Sequence, residues 1–207
     1  IDSVEAIYGL VALGLVHPDH VKRNADARPG DVLVLGKPLG VGVMSAALKK
    51  GALDAAGYDR MIATTTRLNT PGPALAALPG VHALTDVTGF GLAGHALEMA
   101  RGARCDVRID WASVPLLAGV HGLAGQGFVT GASGRNWAGY GAEVQLSASL
   151  GDVDRALLTD PQTSGGLLVA CAPDTVGAVM DIFRRQGFGA AAEIGEVQAG
   201  PARLRVR

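Results

Sequence analysis

The chain has almost no net charge, few cysteines, few aromatic residues and no long apolar run. Its 18 basic and 19 acidic residues give a formal net charge of −1, so it offers no basic surface of the kind that binds nucleic acid or an anionic membrane. The most apolar stretch, residues 6–16, is too short to span a bilayer, and it lacks the flanks of a signal peptide. We therefore expect neither nucleic acid nor membrane as a partner.

Two cysteines, Cys105 and Cys171, are too few for a disulfide framework. Each lies in a short apolar segment that resembles a strand. Because buried thiols of this kind are usually inert, we expect both to be structural and unreactive. The lack of a disulfide framework indicates a reducing compartment, and the predicted location is therefore cytoplasmic.

Apolar periodicity predicts strands and helices that alternate along most of the 207 residues. Such interleaving is typical of α/β or α+β packing around a mixed sheet. The glycine-rich segment 119–141 shows little periodicity and is predicted to be mostly loop. The predicted strands are 4–16, 31–35, 81–84, 105–110, 165–172, 191–198 and 204–206. The predicted helices are 41–50, 58–68, 74–78, one through 96–100, 152–158 and 173–186.

One motif combines a carboxylate and two hydroxyls with the glycine-spaced start of a helix. Thr85, Asp86 and Thr88 follow a short apolar strand and precede an apolar helix. Unpaired amides and the positive dipole end of a helix favour an anion, and a carboxylate can hold Mg²⁺, which prefers oxygen ligands. The motif therefore indicates a phosphate and metal site, although a plain helix cap uses the same residue types.

The same glycines also match a dinucleotide fingerprint. Gly89, Gly91 and Gly94 have the G-x-G-x-x-G spacing, and Asp110 lies at the end of the next predicted strand. Against this hypothesis stands Asp86, because a carboxylate without a metal would repel the pyrophosphate.

Three further groups of polar residues carry alternative interpretations. The turn 159–166 contains Asp160, hydroxyls and paired glycines, so it could present donors to an anion or simply enter a buried strand. Lys37 could neutralise a phosphate, but a solvated turn lysine is the simpler hypothesis. Arg135 and Asn136 could form a binding loop with Trp137, or an exposed loop with a packed Trp.

Taken together, four segments resemble one family, the selenophosphate synthetases (selenide, water dikinases). Their order and spacing match from about residue 3 to the end of the chain. The resemblance implies an enzyme that uses ATP, selenide and water to make selenophosphate, AMP and orthophosphate, with Mg²⁺. It also implies the α+β C-terminal domain of the aminoimidazole ribonucleotide synthetase-like fold, with a mixed sheet and flanking helices. The matching segments are 36–40, 85–91, 135–137 and 160–168.

The resemblance carries residue roles and a domain division with it. Asp86 falls on the family's Mg²⁺-binding aspartate. The positions expected to bind the nucleotide are Thr85, Thr88, Asn136 and Asp160. Residues 1–16 are expected to be a remnant strand of an N-terminal, ATP-binding and dimer-forming domain, and 17–207 the C-terminal domain. The family's catalytic Cys or selenocysteine, with its Lys, is expected upstream of Ile1. The resemblance therefore implies that this chain alone is inactive. It also implies that the enzyme is a homodimer.

Two alternatives stay open at this point. The chain could belong to a sister enzyme of the same superfamily, such as aminoimidazole ribonucleotide synthetase, thiamine monophosphate kinase or a hydrogenase maturation factor. It could also act as a non-catalytic dimerising module, because an orphan N-terminal strand would seek a partner.

Overall fold

A computed structural model describes Gly9, Val11 and residues 13–207. Within these residues the chain forms a seven-stranded mixed sheet with flanking helices, as expected for α+β packing. The predicted strand 4–16 lies for the most part outside the described residues, and its described residues form no helix or strand. The division of the chain after residue 16 therefore stays a prediction.

The strand order in the sheet is β2-β5-β1-β6-β3-β7-β4. The pairs β3–β7 and β4–β7 are parallel, whereas β1–β5, β1–β6, β2–β5 and β3–β6 are antiparallel. The strands are β1 Val32–Leu35, β2 Val81–Asp86, β3 Asp106–Ile109, β4 Val144–Leu146, β5 Leu167–Cys171, β6 Ala192–Gln198 and β7 Arg203–Val206.

The helices lie on both faces of this sheet and at one end of it. They are α1 Val41–Lys49, α2 Ala55–Thr66, α3 Gly72–Ala76, α4 Gly91–Ala103, α5 Val120–Gly125, α6 Gly131–Tyr140, α7 Asp152–Leu158 and α8 Val176–Arg185.

Strand β1 shows why its sequence is apolar without interruption. Successive side chains of a strand point to opposite faces, and both faces of β1 are covered. Leu33 and Leu35 belong to the core on the α4 side, and Val34 packs with Phe183 of α8 on the other side. Burial of each such side chain stabilises the fold by about 1.5–3 kcal/mol.

The predicted loop 119–141 is wrong, because this segment contains α5 and α6. The many glycines interrupt the apolar pattern that would indicate a helix. Tertiary packing nevertheless stabilises both helices, although their helical propensity is low. Val120 and Ala124 are buried in a cluster with residues of α1 and α2. At the start of α6, the Thr130 side chain accepts a hydrogen bond from the Ser133 amide. Strand β4, which follows, was not predicted either.

The dinucleotide hypothesis is also wrong, for a topological reason. A Rossmann unit needs parallel, neighbouring strands on either side of its helix. Here β2 pairs antiparallel with β5, and three strands separate β2 from β3 in the sheet.

The remaining sequence expectations concern cysteines and membranes. Cys105 and Cys171 are free and buried, as predicted, and burial raises the pKa of the Cys171 thiol to about 11. Among the described residues, the helices are too short or too polar to cross a bilayer.

Candidate functional site

The matching segments meet where β1 and β2 end and β5 begins. The amide of Gly36 donates to the Leu167 carbonyl at 2.9 Å, and the amide of Val87 donates to the Gly166 carbonyl at 2.9 Å. Segments 36–40, 85–91 and 160–168 are thus held against one another by main-chain hydrogen bonds, although they are far apart in sequence.

Two glycines show how closely these segments approach. Gly91 begins α4 with a φ of +71°, and a Cβ there would lie 2.7 Å from the Thr159 carbonyl carbon. A Cβ on Gly165 would collide with the Val87 carbonyl oxygen. Backbone packs directly on backbone at both places, so the geometry of the site depends on residues without side chains.

Asp86 is the last residue of β2, and its side chain is exposed. In the part of the chain that the structure describes, no group donates a hydrogen bond to its carboxylate. Thr85 donates its hydroxyl proton to the Asp86 main-chain carbonyl at 3.3 Å. A carboxylate with solvent access and both oxygens free is suited to a hard cation.

Thr88 lies in the turn between β2 and α4, as the sequence predicts. Its hydroxyl oxygen is 3.2 Å from Nε2 of His95, a buried residue of α4. The neighbouring carbonyl of Phe90 accepts a hydrogen bond from the Tyr140 hydroxyl at 2.5 Å. Neither His95 nor Tyr140 was identified from the sequence, because a single His or Tyr on a helix carries no distinctive spacing.

Asn136 lies on α6 and not in a loop. Its side-chain amide donates to the carbonyls of Gly89, at 2.9 Å, and Thr159, at 3.0 Å. One side chain thus joins the turn before α4 to the turn after α7. In this geometry its amide N–H groups hold protein backbone, and its assignment to nucleotide binding stays a prediction.

Asp160 is fully buried, with 0% exposed surface. One carboxylate oxygen, Oδ2, accepts from the Gly42 amide and from Nε2 of Gln162, both at 2.9 Å. The Gln162 side-chain oxygen accepts from the amides of Gly40, at 3.1 Å, and Val41, at 3.3 Å. Together the two side chains satisfy the free amides at the start of α1, a capping role that residue spacing could not show.

Burial dominates the electrostatics of Asp160. It raises the pKa of this carboxyl to about 7, against the opposing effect of the hydrogen bonds from Gln162 and the α1 amides. The other oxygen, Oδ1, is buried without a hydrogen-bond partner. In this conformation the side chain is closed to a ligand, so its assignment to nucleotide binding also stays a prediction.

The interpretation of Lys37 as a solvated turn residue is wrong, since this side chain is only 2% exposed. Its ammonium donates to the carbonyls of Arg67 and Ser164, both at 2.6 Å, and of Thr64 at 3.4 Å. Burial and the nearby Arg67 charge lower the pKa of Lys37. Its N–H donors bind main-chain carbonyls, so in this arrangement Lys37 does not offer them to a phosphate.

The oxygen donors around Asp86 fit Mg²⁺, with Asp86 as one of several ligands. Carboxylate and hydroxyl oxygens are hard donors, and Mg²⁺ usually takes one or two carboxylates together with phosphate oxygens and waters. Among the described residues, however, no group of three or more His, Cys, Asp or Glu side chains could hold a metal ion. The remaining ligands would therefore come from phosphate, from water or from another part of a protein.

The sequence is similar to curated selenide, water dikinases. It is 68% identical over 206 residues to the protein of Burkholderia ambifaria, covering 100% of this chain and 58% of that one. It is 63% identical over 204 residues to the protein of Pseudomonas straminea, covering 99% of this chain and 57% of the relative. The chain thus spans somewhat more than half the length of the curated relatives it matches.

Solved structures with the same fold include hydrogenase maturation protein HypE in complex with ATP. Its TM-score is 0.68 at 18% identity, over 92% of this chain and 51% of that one. Thiamine-monophosphate kinase from Stenotrophomonas maltophilia has a TM-score of 0.65 at 20% identity, over 92% and 54%. These likenesses confirm the predicted fold.

A protein family matches nearly the whole described chain. Residues 28–207 match the family described as AIR synthase related protein, C-terminal domain. That match agrees with the mixed sheet and flanking helices of the structure. The chain therefore belongs to the AIR synthase related family, of which it contains the C-terminal domain.

Proposed function

We propose that this chain is the C-terminal part of a selenophosphate synthetase, which converts ATP, selenide and water to selenophosphate, AMP and orthophosphate. Its role is to present Asp86 as a Mg²⁺ ligand beside the nucleotide's phosphates. The curated relatives named selenide, water dikinase support this activity, and the solved relative in complex with ATP supports the nucleotide.

The observation that carries the proposal is the contrast between the two motif aspartates. Asp160 is buried and hydrogen-bonded to protein backbone, whereas Asp86 is exposed beside interlocked segments. A rigid backbone keeps a metal ligand in place without reorganisation, which is the main protein contribution to phosphoryl transfer. When bound, Mg²⁺ would neutralise phosphate charge and align the reacting group.

The residues around Asp86 have separate tasks in this proposal. Asn136 holds the turn at Gly89, and Tyr140 holds the next carbonyl, that of Phe90. Both contacts fix the start of α4, where the amides and the helix dipole favour negative charge. The site therefore combines a cation ligand on the strand with an anion-binding helix end.

A chimera tests the proposal. The matching segment of the Burkholderia ambifaria relative is replaced by this chain, and selenide-dependent formation of AMP is measured. We expect the chimera to be active and Asp86→Asn to lower its activity at least about 100-fold, because loss of a ligand exceeds the 10- to 100-fold effect of outer contacts. Thermal unfolding of the two proteins should agree within about 2 °C, since Asp86 is exposed.

The matched control is Asp174→Asn. Asp174 is also an exposed aspartate, but it lies two residues after Ala172, whose amide donates to the Gly80 carbonyl at the opposite end of β2 from Asp86. This variant should keep full activity. Full activity of the Asp86→Asn chimera would refute the proposed metal ligand.

A further inference from the structure

Behind the proposed site, a buried histidine contacts a motif hydroxyl. The Thr88 oxygen lies 3.2 Å from Nε2 of His95, whose residue is 7% exposed. The imidazole ring is tilted against the Phe90 ring, with centroids 5.9 Å apart. His95 is therefore held between the start of α4 and the turn that carries Thr88.

The other ring nitrogen of His95 faces an acid. Nδ1 lies 3.1 Å from Oε2 of Glu98, one turn further along α4. This contact is not a hydrogen bond, so it acts by charge alone. A carboxylate on this side favours the tautomer that carries its proton on Nδ1.

That tautomer determines what Thr88 can do. With the proton on Nδ1, Nε2 is an acceptor, and the Thr88 hydroxyl donates its proton to it. The lone pairs of the Thr88 oxygen then stay free to accept. Thr88 is not used as a helix cap, because α4 begins without a side-chain capping bond and no described amide donates to its hydroxyl.

We propose that His95 is a positioning residue that accepts a hydrogen bond from the Thr88 hydroxyl and so presents the lone pairs of the Thr88 oxygen to Mg²⁺ or its bound water. The inference rests on the proposed function, since it assigns the cation to the Asp86 turn. It goes beyond that function by giving Thr88 a defined role and naming the group that imposes it.

Nitrogen-15 NMR of the His95 ring tests the first part on this chain without ligand. We expect the neutral ring to carry its proton on Nδ1 and not on Nε2, and we expect the Nε2 resonance to shift in Thr88→Val. A ring protonated on Nε2, or an Nε2 resonance unchanged by Thr88→Val, would overturn the inference. This readout needs neither activity nor metal.

Variants of the active chimera test the second part. His95→Leu removes only the hydrogen bond that orients Thr88 and should raise the Mg²⁺ concentration for half-maximal activity about fivefold, the effect of losing one hydrogen bond of about 1 kcal/mol. Thr88→Val removes the acceptor oxygen itself and should raise that concentration by at least as much. The double variant should show the same change as Thr88→Val alone, because His95 acts only through Thr88, and a further fivefold loss in the double variant would contradict the proposed coupling.

Conservative variants separate positioning from packing. The Gln side chain places its amide near Nε2 of the histidine that it replaces, whereas Asn places its amide near Nδ1. His95→Gln should therefore retain the wild-type Mg²⁺ dependence, and His95→Asn should behave like His95→Leu. Equal losses in Gln and Asn would refute the positioning role, and the NMR result stands even where the Leu variant fails to fold.

The two proposals fail in different ways. If Asp86→Asn stays active, the metal site itself is wrong. If Asp86→Asn is inactive but His95→Leu leaves the Mg²⁺ dependence unchanged, only the role of His95 is wrong.

Discussion

The close approach at Gly91 gives a prediction whose size can be worked out from the structure. Replacing Gly91 by Ala places a Cβ in a left-handed conformation, with a φ of +71°, which costs about 1–2 kcal/mol. The same Cβ would lie 2.7 Å from the Thr159 carbonyl carbon and 2.9 Å from the Leu158 carbonyl oxygen. Such overpacking against backbone costs a further 1–3 kcal/mol or so.

The expected loss for Gly91→Ala is therefore about 2–5 kcal/mol in the free energy of unfolding. For a chain of this size, that lowers Tm by roughly 4–20 °C. Urea unfolding followed by circular dichroism measures the free energy, and calorimetry measures Tm.

Two other glycines separate the contributions. Gly51 has a φ of +69° with open space around its Cβ position, and Gly89 has open space and no left-handed φ. Gly51→Ala should thus lose only about 1–2 kcal/mol, and Gly89→Ala about 0.5 kcal/mol or less. Equal losses for Gly91 and Gly51 would refute the argument that backbone contact at Thr159 fixes the start of α4.

Three further predictions concern buried polar contacts. The pKa of Asp160 in the folded protein is raised to about 7, so the folded protein binds this proton more tightly than the unfolded chain does. The free energy of unfolding should therefore fall as pH rises from about 4 to 7, by at most about 4 kcal/mol. Asp160→Asn should remove this dependence in urea titrations. Asn136→Ala loses two hydrogen bonds and should cost about 1–3 kcal/mol in the same assay. Lys37→Met leaves three carbonyls without their donor and should cost about 1–3 kcal/mol, whereas a neutral outcome would show that water replaces the ammonium.

Strands with one or both faces buried against the core were predicted well from the sequence. The apolar runs at β1 and β5 have no other use than burial, and the predicted 191–198 differs from β6 by one residue. The predicted starts of α1 and α7 are correct, whereas those of α2, α3 and α8 are wrong by two or three residues. Helix α2 begins at Ala55 because the Asp54 side chain accepts from the Gly57 amide at 2.6 Å, a capping signal that the apolar pattern does not contain.

The glycine-rich segment failed for a different reason. Gly131 to Tyr140 has little helical propensity, so a local pattern favours loop. The helix forms because Asn136 and Tyr140 bind carbonyls at the start of α4 and Ser133 hydrogen-bonds to α7. These partners are distant in sequence, and a single sequence does not show which residues will meet.

The candidate site could also be predicted only in part, because some of its features follow from local sequence and others from distant contacts. The position of Asp86 at a strand-to-helix turn follows from local pattern, and the structure has it there. Whether an aspartate faces a ligand or the backbone depends on what packs against it. Asp160 and Asp86 have similar surroundings in the sequence, with hydroxyls and glycines nearby, yet one is covered by α1 and the other is open.

In the proposed function this difference gives the two aspartates separate tasks. An exposed metal ligand is useful only if the strand end that carries it does not move, and β2 is held at its end by β5 through the bond from Val87 to Gly166. The turn before β5 is in turn fixed by Asp160, whose carboxylate is bound to α1. Loss of Asp160 should therefore weaken Mg²⁺ binding at Asp86 without any direct contact between Asp160 and the metal, a coupling that a double-mutant cycle of the two positions would measure.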